Sequence, residues 1–168
     1  MRSAVAMAAI LVAIALQTTL ATMVFRGRTA IDLVLIVVVY IAIKSGPATG
    51  VLAGTVAGLL QDALSTGVLG IGGLAKTIVG FASGVLGTQF IVTAPLPRFL
   101  LLMGGTALHA VIFMGLYSLL DLRQFPAPYP AVLAQAFGNA FFGVVLFQMI
   151  EWFPGFVDRR RAGRYLKR

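Results

Sequence analysis

From Ala4 to Phe25 the chain runs 22 residues without a single charged side chain. As a helix this stretch is about 33 Å long, enough to cross a hydrocarbon core of about 30 Å. Comparable apolar spans cover 68–92, 99–120 and 131–151. Charged residues make up 11% of the chain, against about 25% in a soluble domain that must populate a polar surface. Lipid is therefore the expected solvent, and helices are the expected elements, because a bilayer leaves open strands unsatisfied. The opening resembles a secretory signal in having Arg2 before its apolar run. Such a run is usually about 7–15 residues, and no clear cleavage pattern follows, so a retained helix is expected.

Between the first two spans lies IDLVLIVVVYIAIKSGPATGVLAGTVAGLL, residues 31–60. One helix of that length would measure about 45 Å. Lys44, Ser45, Gly46 and Pro47 interrupt it where Gly and Pro break helices. Two short helices, roughly 31–44 and 47–61, are expected, with one kinked helix as the alternative. The fold class is then an all-α membrane bundle of six helices, or alternatively five. A bundle over 1–157 and a basic tail over 158–168 complete the organisation.

The net charge is +8, and the tail DRRRAGRYLKR holds six of the thirteen basic residues. Without an aromatic–basic platform this cluster does not point to nucleic acid. A basic cluster just after an apolar helix marks a cytoplasmic end and suits anionic headgroups. Arg159, Arg160, Arg161, Arg164, Lys167 and Arg168 are the candidate contacts to lipid or to a cytoplasmic partner. With six helices, Arg2, Lys44, Arg98 and the tail lie inside, while Arg26, Arg28 and Arg123 lie outside. Five helices fit the charges equally well, so charge fixes the side of the tail and not the helix count.

Gly46, Gly50, Gly54 and Gly58 recur every fourth residue. Small residues let membrane helices approach backbone to backbone, either within a chain or with a partner. Ala4, Ala8, Ala9 and Ala13 form a softer row on the first helix, and Gly80, Gly84 and Gly87 another on the fourth. Gln17 adds hydrogen-bonding capacity beside the first. Asp62 is one of only five carboxylates and sits beside an apolar helix. A charge there faces an interior, a partner or an interface. Lys76 is its nearest candidate counter-ion. A structural pair or helix stop, a protein contact and an ion or proton site are the three readings open to it.

No chemistry is otherwise assembled. There is no cysteine, and His109 has no second ligand at metal spacing. His109, Asn139 and Gln148 read as hydrogen-bonding groups across a bundle. Ser83 and Ser118 lack the setting of a serine nucleophile, and no phosphate-binding glycine loop is present. Neither an enzyme nor a cofactor is expected.

The order LQTTL, DLVLIVVVYIAI, a glycine-spaced helix, GLLQDALSTGVLGIGGL and a basic end resembles the MreD family of bacterial rod-shape proteins. Gly58, Leu59, Leu60, Gln61 and Asp62 with Leu69 and Gly70 carry the most specific part. The family often has proline before the Asp-Leu pair of its second helix, where this chain has Ile31. The resemblance implies a non-enzymatic scaffold of cell elongation and peptidoglycan synthesis in the bacterial inner membrane. Its implied partner is MreC, with MreB, RodA and a class B penicillin-binding protein nearby. The family fold is similar to the substrate-binding subunits of energy-coupling-factor vitamin transporters. The alternative function is accordingly such a subunit, docking through the alanine row.

Overall fold

The computed structural model describes residues 3–23, 31–65, 67–90, 92, 94–123, 125 and 129–165, with side chains described only for 4–19 at the start and to 152 at the end. These residues form six helices and no strand: α1 (Ser3–Met23), α2 (Leu33–Ser45), α3 (Pro47–Ala63), α4 (Ile71–Gln89), α5 (Pro95–Leu119) and α6 (Tyr129–Tyr165). Three stretches, Ile71–Gln89, Pro95–Leu119 and Tyr129–Trp152, are long and apolar enough to cross a membrane.

The interruption at Lys44–Pro47 makes two helices and not a kink. Gly46 closes α2 and opens α3 at φ +86°, a conformation L side chains rarely adopt, and Pro47 occupies the first turn of α3. The five-helix alternative is thereby excluded. A one-residue turn also forces α2 and α3 to run side by side in opposite directions.

α2 is apolar all round, the pattern of a helix covered on all sides. It sits at the centre and touches α1, α3, α4, α5 and α6. Around it the neighbours follow the order α1, α3, α4, α5, α6, each packed on the next. One half of the core joins Ile10, Ala13 and Ile14 to Val34, Val38, Ile41, Ala53 and Ala57. The other joins Leu35, Ile36 and Val39 to Val79, Leu102, Ala140 and Phe147.

The closest seam is α3 against α4, and the glycine row explains it. A Cβ on Gly50 would collide with the carbonyl oxygen of Gly80, one on Gly54 with that of Lys76, and one on Gly58 with Gly73 Cα. Gly84 meets the backbone of Pro47 in the same way. The row thus serves contact within the chain. Gly46 differs from the other three: its backbone lies under Gly84, but its glycine is required by the turn. At such close approach the Thr55 and Thr77 hydroxyls also meet, at 2.8 Å.

α6 continues through residue 157 to Tyr165 without a break. The basic segment therefore begins as a prolongation of the last helix.

Candidate functional site

The start of α2 lies inside the bundle, where Asp32 and Val34 are buried, and its first turn must find partners for its free N–H groups. Asp32 is the N-cap: its Oδ1 accepts from the Leu35 N–H at 2.9 Å. The Asp32 N–H donates to Asn139 Oδ1 of α6 at 2.8 Å, and the Val34 N–H to Gln17 Oε1 of α1 at 3.2 Å. Three elements of the bundle thus meet on one turn of backbone.

The carboxylate brings in the rest. Lys76 Nζ of α4 lies 3.0 Å from Asp32 Oδ2 and 3.2 Å from His109 Nε2 of α5. Asn139 Nδ2 donates to Thr106 Oγ1 at 3.1 Å, and Thr106 in turn donates to the Leu102 carbonyl. Asp32 is 4% exposed and Lys76 3%. At such depth an unpaired charge is untenable, while a paired and hydrogen-bonded one holds its neighbours in fixed register. The ammonium serves as a donor to both a carboxylate and an imidazole, which makes His109 Nε2 the acceptor in this arrangement. The Asp32–Asn139, Val34–Gln17, Lys76–Asp32, Lys76–His109 and Asn139–Thr106 contacts each join one helix to another.

Lys76 therefore pairs with Asp32 and not with Asp62. Asp62 does something different at the same end of the bundle. Its Oδ2 accepts from the N–H groups of Gly70 and Gly73, at 2.9 and 3.0 Å. It caps α4 from the last turn of α3, since Gly70 itself has no side chain with which to cap. A Cβ on Gly72 would collide with its Oδ1, so the glycines after Asp62 make room for the carboxylate. Replacing Asp62 by alanine orphans both N–H groups and removes a charge from a helix N-terminus; a loss of about 1–2 kcal/mol is expected. Thermal unfolding in detergent measures it, with Asp62→Asn retaining part of the stability.

At the opposite end, Glu151 of α6 receives Lys44 of α2 at 2.6 Å and Arg98 of α5 at 2.8 Å. Arg98 is buried, lies over the Phe147 ring and donates to the Val92 carbonyl. Polar anchors thus hold α2 at both ends.

The first 154 residues match the family described as rod shape-determining protein MreD. The chain belongs to the MreD family. No curated protein and no solved structure matches it. A role in rod-shape determination follows from this membership of the MreD family, and the apolar helices agree with a membrane protein.

The other residues singled out in this MreD-family chain fall in different places. Gln17 and Ala13 face inward, Ala9 is half-buried, and Ala4 and Ala8 face outward, so the alanine row does not form one face. Gln148 also faces outward, unlike His109 and Asn139. The side chains of Arg159, Arg160, Arg161 and Arg164, and all of Lys167 and Arg168, lie outside the described residues. Asp32 is the residue that sequence reasoning passed over. Its signal was present: an acid directly before an eleven-residue apolar run, LVLIVVVYIAI, is an N-cap. A helix apolar on all sides buries that cap, and a buried acid calls for a buried cation.

Proposed function

We propose that this MreD-family chain is a non-enzymatic scaffold of the elongation machinery, placed in the bacterial inner membrane with its basic end in the cytoplasm. It holds the membrane helix of MreC and thereby limits where the rest of MreC reaches. MreB, RodA and its class B penicillin-binding partner are the wider neighbours. One observation carries this reading: the buried polar groups at the bundle's centre are consumed in helix-to-helix bonds. Such a network fixes the shape of the bundle and the register of its helices. Isolation from native membranes tests the reading: MreC and cell-wall synthases are expected to come with the chain, and their absence overturns it.

The tail supplies a second, separable contact. Each basic group near an anionic surface contributes on the order of 1 kcal/mol. Replacing Arg159, Arg160 and Arg161 by alanine is expected to weaken association with anionic vesicles by roughly two orders of magnitude. A flotation assay reads this, and unchanged association removes the tail from lipid binding.

A further inference from the structure

LQTTL and GLLQD each place one glutamine at the end of the bundle where α2 begins. Gln17 of α1 and Gln61 of α3 line one crevice of about 120 Å³, together with Ile14, Val34, Leu64 and Ser65. The exposed hydroxyls at its rim are engaged by their own helices. Thr18 donates to the Ile14 carbonyl and Ser65 to the Asp62 carbonyl, each at 3.0 Å. The glutamines are not so provided. Gln17 is 8% exposed and spends its carbonyl oxygen on the Val34 N–H, while its amide NH2 has no acceptor among the described residues. Gln61 Oε1 is buried with no hydrogen-bond partner among the described residues. A buried carbonyl left so lowers stability. One wall of the crevice thus offers a donor and the other an acceptor.

None of the residues that line the crevice is charged. Asp62, next to Gln61, has its carboxylate on the Gly70 and Gly73 N–H groups. A neutral group therefore suits the crevice better than an ion. The N–H and C=O of a trans secondary amide point in opposite directions, so one such group can serve both walls. The crevice is short of the roughly 300 Å³ at which pockets begin to enclose a whole drug-sized ligand, so only the head of a larger molecule enters. Further along the same α1–α3 seam, toward the other end, a second crevice of about 240 Å³ is lined by Met7, Ile10, Leu52 and Val56. The polar side chain there, Thr49, already donates to the Ser45 carbonyl. On α1, Met7, Ile10, Ile14 and Gln17 follow one another at three or four residues, a single stripe. The seam is polar and unpaired at one end and apolar at the other.

We infer that the crevice between Gln17 and Gln61 receives the neutral carboxamide head of an amphiphile whose alkyl chain lies along α1 and α3. Gln61 accepts from the amide N–H, and Gln17 donates to the amide carbonyl. This goes beyond the scaffold reading and does not depend on it.

Photolabelling of the chain reconstituted in phosphatidylcholine vesicles tests this with two matched probes, N-methyldodecanamide and methyl dodecanoate, each carrying a diazirine at the end of its chain. The two differ in the N–H that only the amide can give to Gln61. The amide is expected to label α1 and α3 at least tenfold more than the ester. Equal labelling overturns the proposal, because water or bilayer lipid alone then fills the crevice. So do adducts confined to α5 and α6. Gln61→Leu is expected to bring amide labelling down to that of the ester, in protein that unfolds at or above the parent's temperature when no probe is present. Gln17 is left in place, since it also holds the first turn of α2. Leu64→Trp, at a rim position 66% exposed, is expected to act like Gln61→Leu by blocking the mouth. A tenfold preference for the amide that survives both substitutions also overturns the proposal.

Discussion

Replacing Lys76 by methionine is expected to destabilise the bundle by about 3–5 kcal/mol, the cost of leaving a buried charge without its partner. The substitution keeps an unbranched apolar stem, one atom shorter, and removes the ammonium. Asp32 then stays at 4% exposure with no cation beside it, and the His109 ring nitrogen loses its donor. The carboxylate must take up a proton or draw water between the helices. Either change loosens the cap on α2. Asp32→Asn should cost less, because an amide still accepts from the Leu35 N–H, but it leaves Lys76 unbalanced. The double variant Asp32→Asn with Lys76→Met is expected to recover much of the loss, since neither charge remains. Thermal unfolding in detergent, read as a double-mutant cycle, gives the coupling directly. Additive losses would show that the two side chains act separately.

Gly54→Leu is expected to be as severe, for a different reason. Its Cβ alone would fall 2.6 Å from the Lys76 carbonyl carbon and 2.8 Å from Thr77 Cα, both backbone atoms that cannot swing aside. α3 and α4 must separate, and overpacking of this kind costs about 1–3 kcal/mol or more. The displaced strip includes Lys76, so the ammonium moves relative to Asp32 and the two defects compound. Gly80→Val should behave alike against the Gly50 carbonyl. Gly104→Ala is the control: nothing lies within 4 Å of the added carbon, and alanine favours a helix over glycine by about 1 kcal/mol. Monodisperse protein from Gly104→Ala beside aggregate from Gly54→Leu is the expected outcome. Equal yields would show that the seam tolerates separation.

The seam was readable because glycine spacing is a local property, repeated within one helix and matched in the next. The break at Lys44–Pro47 was readable for the same reason. The counter-ion of Lys76 was not. Asp62 precedes it by fourteen residues and Asp32 by forty-four, so proximity along the chain favoured the wrong acid. What decides between them is that α2 occupies the centre, and that position depends on five other helices. The inward side of α1 was not legible either: spacing gives a repeat, while the side that turns inward is set by Ile10, Ile14 and Gln17.

The cap on α2 also has a history. α3 and α4 are neighbours in sequence and can pair as soon as both have emerged, since short-range contacts form early. Asn139, which takes the Asp32 N–H, lies 107 residues further on. During synthesis the central helix must therefore wait for the last one before its first turn is complete. A chain cut after α5 keeps the tightest seam but leaves that turn unfinished. Quality-control proteases are then expected to recognise it by the open start of α2 and not by its hairpin.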